Sequence, residues 1–347
     1  SVTFYTTGTV TLGDASGDTC TFTGGVTHTA GSTNLAGTLA TSDADAAFAA
    51  AALTADTTVS TVSGTGGGIL FGSTVTGSGY ALTLTAGDSG NIEFAGAVGI
   101  SAGSLGAVTI NSAYNVAGDN VTGTPSADAG TVYAASLTQN AGTGTTRLSA
   151  VTLTGAMSLT TTAAVDLNGT VTAPSGFSST GTTFDNTGAA VTTTGTALTI
   201  IHTGGVTVGA ALSSGAGTIT VTGTGSSYDV SISGSLSSTT GNIDIDSAAA
   251  VSVTNTVTAT TGTVTVDSSG ITTLSSAADI TTTTGNVAFG ASKSGVLSTA
   301  GDITTAGVTA DGSGTVTFTN AVTLTGPVAL DTTNAGSSTG GEVTFGS

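Results

Sequence analysis

The sequence predicts an all-β fold, a parallel β-helix (β-solenoid) of stacked short coils. Three observations carry that expectation. The composition is dominated by small and β-branched residues. Short runs alternate apolar residues with Thr. A single phrase recurs every 21 to 29 residues through the second half of the chain, with related forms in the first.

The phrase is Gly, a polar residue, then an alternating triplet. It reads GTITV at Gly217, GNIDI at Gly241, GTVTV at Gly262, GNVAF at Gly285, GTVTF at Gly314 and GEVTF at Gly341. Related forms stand at Gly67 (GGILF), Gly90 (GNIEF) and Gly130 (GTVY). Repeats with periods of 20 to 50 residues mark solenoids and arrays. Within each repeat, runs such as Leu82-Thr83-Leu84-Thr85 and Thr315 to Thr319 alternate with period two, the strand signature. Thr and Val suit a pleated backbone. Gly, Asn, Asp and Ser punctuate the runs as turns. Only three prolines, Pro125, Pro174 and Pro327, interrupt the ladders. About three strands per period of about 23 residues give roughly 15 coils stacked at about 4.8 Å, a rod on the order of 70 Å over residues 1–347. Tandem β-sandwich domains are the alternative; they call for hairpins and a pattern near 100 residues.

The segment Ser42 to Asp56 departs from the pattern. Its Ala-rich text carries acidic residues in what would be a first turn and offers Ser42 or Asp43 as an N-cap. It reads either as a helical excursion over 42–56 or as Ala filling tight inward positions of two coils.

Composition also excludes functions. Of 347 residues 80 are Thr and 54 Gly, and charged residues are 6% against about 25% in an ordinary domain. Two cations, Arg147 and Lys293, at a net charge of −18 argue against nucleic acid, whose phosphates need neutralising. No apolar run is long enough for a transmembrane helix, so no membrane insertion is expected. A mean hydropathy of +0.38 argues against disorder. Ser1 is not an initiator Met, and no basic start with an apolar core follows it. The chain reads as processed, or as a segment of something longer. Ser347 falls inside a repeat phrase: GGEVTFGS at the end compares with GGGILFGS at 66–73, where the text runs on. Either the chain continues or another copy completes the open coil, since an unpaired strand edge favours stacking.

Four passages bear on family. They are Leu137 to Gly155 (LTQNAGTGTTRLSAVTLTG), Gly90 to Gly99, Thr9 to Phe22 and Gly314 to Thr332. They resemble the long repeats of bacterial filamentous-haemagglutinin-like surface proteins, which are secreted adhesins and fibre proteins. The resemblance covers most of the chain. It implies a right-handed parallel β-helix and a location outside the cell or on the surface of a bacterium.

The candidate sites are few. His28 and His202, seven or eight coils apart, cannot act together and read as structural. Cys20, with the parity of Phe22, should point inward; alone, it closes no intramolecular disulfide. Calcium takes oxygen ligands, so Asp14 with Asp18, Asp43 with Asp45, and Asp244 with Asp246 are weak calcium candidates; otherwise they are solvated surface carboxylates. In the last pair Ile243 and Ile245 should face inward and the acids outward. T-x-T triplets such as Thr315-Val316-Thr317 occur on some ice-binding β-helices, but any Thr-rich solenoid produces them. A polysaccharide-degrading enzyme needs an acid pair in a groove. Asp166 and Asp185 show no cationic neighbour in the sequence, so no catalytic residue and no other cofactor is expected. Asn120-Val121-Thr122 and Asn168-Gly169-Thr170 match the glycosylation sequon. The expected function is therefore structural: a fibre or filament subunit associating end to end, or a segment of a longer fibre. An adhesin stalk presenting a binding tip to cell-surface or glycan ligands is the alternative, and the enzyme is the third reading.

Overall fold

A computed structural model of the chain describes residues 1–119, 124–305, 314–333 and 340–346. Among them there is no helix, and parallel strands stack as a β-solenoid of about 14 turns. The ladders between strands are parallel throughout, which rules out tandem antiparallel sandwiches. The chain comprises two compact units, Ser1–Ala173 and Pro174–Ser347.

In the second unit each coil has three short strands. One coil shows the logic: Ile243–Ser247, Val251–Val253 and Val257–Ala259, joined by turns. Side chains alternate across a strand, so Ile243, Ile245, Val251, Val253, Val257 and Ala259 are buried, while Asp244, Ser252 and Thr258 face out. The next coil repeats the register, with Ile243 over Val264, Val251 over Thr272 and Val257 over Ile280. Each inward Val or Ile thus contacts its equivalents above and below. Burial of such a side chain contributes about 1.5–3 kcal/mol.

The glycine that opens the phrase has a steric reason. Gly217, Gly241, Gly262, Gly285 and Gly314 stand in one column. A Cβ on Gly241 would lie 2.1 Å from the carbonyl oxygen of Gly217, on Gly262 2.0 Å from that of Gly241, and on Gly314 1.8 Å from that of Gly285. Coils approach through bare backbone at this corner. Gly90 repeats the arrangement in the first unit, 2.1 Å from the Gly67 oxygen.

The first unit opens differently. Val2–Thr3, Val10–Leu12 and Thr19–Phe22 all pair with one 16-residue strand, Val26–Thr41. That strand pairs in turn with the 15-residue strand Ala46–Ser60. Each long strand rounds a coil with register shifts in place of turns. The helical excursion over 42–56 is therefore not formed. Ala46, Phe48, Ala51 and Leu53 are buried with near-period-two spacing, and small Ala side chains fit a narrow interior. Asp43 is not an N-cap: it takes a left-handed turn conformation, φ 53°. Ladder pairing on both sides overrides the helix propensity of Ala.

Aromatic rings stack along the column. Phe48, Phe71 and Phe94 lie 5.8 and 5.7 Å apart between centroids, and Phe289, Phe318 and Phe345 lie 5.5 and 4.9 Å apart. Phe71 is fully buried.

Candidate functional site

The structure engages many of the ionisable side chains between coils. Asp45, Asp229, Asp279 and Asp302 each stand just before a strand, and Asp56 lies within the long strand Ala46–Ser60. One carboxylate oxygen of each accepts the backbone N–H of the coil above: Gly68 at 2.7 Å, Ala81 at 2.9 Å, Ala250 at 3.1 Å, Asp302 at 3.0 Å and Ala329 at 2.7 Å. Asn91, Asn115, Asn186, Asn242 and Asn286 do the same with their amide oxygens. In each case the acceptor belongs to the earlier coil and the donor to the later. Turn amides, which lie outside the ladder, gain partners in this way.

The calcium candidates fall into three situations. Asp18 Oδ2 accepts the amides of Asp14 and Ala15 at 2.8 and 3.1 Å, closing a local turn. Asp43 Oδ1 accepts three amides, from Ser63, Gly64 and Gly66, at 3.0, 2.8 and 2.8 Å. Those bonds hold the Asp43 carboxyl below the ordinary range, and the Asp14 and Ala15 bonds do so for Asp18. Asp45 joins the carboxylates that bond upward. Asp244 and Asp246 share the outward face of one strand, as expected, between buried Ile243 and Ile245. Among the described residues no three His, Cys, Asp or Glu side chains are placed to hold a metal ion.

Each cation lies among acids of neighbouring coils. Arg147 Nε bonds Asp128 Oδ1 at 2.6 Å, and a terminal guanidinium nitrogen bonds Asp166 Oδ2 at 2.8 Å. Arg147 and Asp166 are register partners on adjacent coils, and Asn168 Nδ2 donates to Asp128 at 2.9 Å. The expectation that Asp166 has no cationic neighbour is thus overturned. Residues 19 apart in sequence meet because the coil returns. Asp185 differs: its Oδ1 accepts the N–H and hydroxyl of Thr187 at 2.7 and 2.6 Å. Lys293 pairs with Asp246. Asp267, the register partner of Asp246, accepts the Ser292 hydroxyl at 2.6 Å. Sequence reading missed Asp128 and Asp267, because coil length varies and no fixed period brings Arg147 over Asp166 and Asp246 over Asp267 together.

Burial and the negative charges of Asp246 and Asp267 raise the Asp244 carboxyl above its ordinary value, against the opposing pull of Lys293. A raised carboxyl is destabilising once ionised, above its folded pKa. Asp244→Asn is expected to raise Tm at pH 7. Well below pH 3.8, where the carboxyl is neutral in both states, the gain should vanish in paired melts.

The two histidines lie in different units and are fully buried. His28 Nδ1 meets Thr33 Oγ1 at 2.9 Å and its Nε2 meets the Thr6 carbonyl at 3.1 Å. His202 sits between Gly181 and Gly223 on adjacent coils, which leave room for its ring against Phe184 at 5.5 Å. Its Nε2 meets Ser179 Oγ at 3.0 Å. Desolvation pulls its pKa from 6.5 down to about 4, opposed in part by the Thr183 backbone. The unfolded chain then binds the extra proton between those values, so stability falls as pH drops from 6.5 to 4 and is full above 6.5. The loss is roughly 3 kcal/mol. Denaturation of the parent and of His202→Gln across this window should show that increment of pH dependence in the parent alone.

Cys20 is half-buried and free. It shares the less exposed side of its strand with Phe22, as expected. The T-x-T triplet at Thr315 does not propagate, because the adjacent coil places Ala288 opposite Thr317, and Asp244 stands in the same file further on. The other two faces of the second unit carry single files of hydroxyls. One runs Thr207, Ser231, Ser252, Thr273, Ser298, Thr323. Of the sequons, Asn168 is held by Asp128, and Asn120-Val121-Thr122 lies outside the described residues.

A cavity of about 330 Å³ is lined by Phe318, Val322, Leu324, Leu330 and Phe345 among others; Leu324 is 64% and Phe345 61% exposed. Comparison of the chain with protein-family models, curated proteins and solved structures returns no match.

Proposed function

We propose that the chain is a structural element of an extracellular bacterial fibre, a scaffold that works through its backbone ladders. The observation that carries this reading is the employment of the carboxylates. Most acids that would serve catalysis or metal binding are engaged in holding the chain instead: Asp43 and Asp45 accept amides of the next coil, Asp18 closes a local turn, and Asp166 and Asp246 pair with the two cations. The Ser and Thr files support it as well: they give an uncharged, hydrated face with little to attract a charged partner. The resemblance to filamentous-haemagglutinin-like repeats belongs to the same proposal, as does the surface location. Immunogold labelling of producing cells with antibody to this chain tests it. Label along filaments outside the cell is expected. Label confined to the cell interior, or a polysaccharide-cleaving activity of the purified chain, overturns it.

A further inference from the structure

One short segment leaves the ladder and carries a cation. After the strand Val287–Phe289 the chain runs through residues 290–295 outside any strand. Both ends of that segment are tied to the coil before it. The Gly290 N–H donates to the Val266 carbonyl at 3.1 Å and the Gly295 N–H to that of Ser268 at 2.9 Å. Between them the N–H and hydroxyl of Ser292 donate to Asp267 Oδ2 at 3.2 and 2.6 Å. The next coil holds the segment as well, since Asn320 Nδ2 donates to the Lys293 carbonyl. Asp267 points outward by strand alternation, yet it is only 5% exposed, because the segment lies over it.

Lys293 is thereby held past Asp267, against Asp246 one coil further back. The side chains of Lys293 and Asp246 are 23% and 32% exposed. The Asp246 oxygen that meets the lysine is itself shut off from water. So is Asp267 Oδ1, which has no hydrogen-bond partner among the described residues. An orphaned, buried carboxylate oxygen calls for a role. Burial also raises the Asp244 carboxyl on the same strand face, so the surroundings favour uncharged forms. No disulfide within the chain can fasten these coils, as Cys20 is its single cysteine.

We propose that Lys293 and Asp246 become joined by an amide between Nζ and Cγ, with Asp267 relaying protons beside them. The starting pair is an ammonium and a carboxylate. Nζ passes one proton to Asp246 Oδ1, giving a neutral amine and a carboxylic acid. The nitrogen lone pair attacks Cγ and the N–Cγ bond forms. Asp267 Oδ1 accepts a second proton from Nζ and delivers it to the departing hydroxyl of Asp246. The Cγ–O bond breaks and one water leaves, so atoms and charge balance with no oxidant or co-reactant. Holding both groups in contact turns a bimolecular condensation into an intramolecular one. The product ties the segment 290–295, across the strand Val264–Ser268, to the strand Ile243–Ser247, a covalent staple over three coils. The proposal does not depend on the fibre reading.

Intact-mass spectrometry of the purified full chain tests it. The parent should weigh one water less than its sequence. Lys293→Arg, Asp246→Ala and Asp267→Asn should each keep the full sequence mass, with circular dichroism confirming the fold. Trypsin digestion of the unfolded chain gives a second readout, because trypsin needs a free lysine ammonium. The parent should be cut after Arg147 alone, whereas Asp246→Ala and Asp267→Asn should be cut after Lys293 as well. A parent of full sequence mass that is cut after Lys293 overturns the bond and leaves an ion pair only. Loss of water that persists in Lys293→Arg places the dehydration elsewhere and overturns it too. Loss of water that persists in Asp267→Asn overturns the relay assigned to Asp267.

Discussion

Gly262→Ala is expected to destabilise the second unit by about 3 kcal/mol or more, the upper range for forcing extra volume into a packed site. The added methyl would sit 2.0 Å from the Gly241 carbonyl oxygen and 2.5 Å from its carbon. Those atoms are backbone, held by ladders on both sides, so they cannot swing aside as a side chain would. Relief requires the coils to separate at one corner. That lengthens the amide bonds nearby, including the one from Thr263 to Asn242 Oδ1, now 2.9 Å. Gly195→Ala is the internal control: nothing lies within 4 Å of a Cβ there, and its effect should stay within about 0.5 kcal/mol. Denaturant titration of the two variants reads the difference. Equal effects would mean that the glycine column is not a close approach.

Phe71→Ala is the second large effect, expected at about 3–5 kcal/mol. The ring is fully buried and has a phenyl on each side, Phe48 at 5.8 Å and Phe94 at 5.7 Å. Its removal leaves a void that the rigid ladders on both sides keep from collapsing. The strand Ile69–Phe71 is held through backbone pairing to Ala46–Phe48 and Ile92–Phe94. The loss should therefore appear as faster amide exchange in those three rungs first. Solenoids transmit stability through nearest neighbours, so more distant coils should respond less. Uniform loss of protection throughout the first unit would contradict that picture.

The parts of the fold legible in the sequence are those where one coil equals one phrase. Gly at the corner, Val or Ile at inward positions and Thr or Ser outside recur from Gly217 to Gly341, and the structure stacks them in that register. Legibility fails at Ala46–Ser60, where composition argues helix and only the partner strands decide otherwise. It fails again for the acids. Read linearly, Asp43 and Asp45 or Asp244 and Asp246 look like ligand pairs because they are neighbours in the chain. Their true partners are about twenty residues on: the amides of Ser63, Gly64 and Gly66 for Asp43, and Asp267 for Asp246. The coil length varies, so a fixed period does not align Asp128, Arg147 and Asp166 in advance. What looks like surface charge in composition is, at Asp45, Asp229, Asp279 and Asp302, part of the stacking bond between coils.

The proposed fibre requires the parallel coils to stack along the filament axis. The power spectrum of filament images from the purified chain tests it most directly. A layer line at about 4.8 Å along the filament axis is expected, the spacing of the stacked coils. Filaments with the 4.8 Å spacing perpendicular to the axis, or with no such spacing, would contradict it.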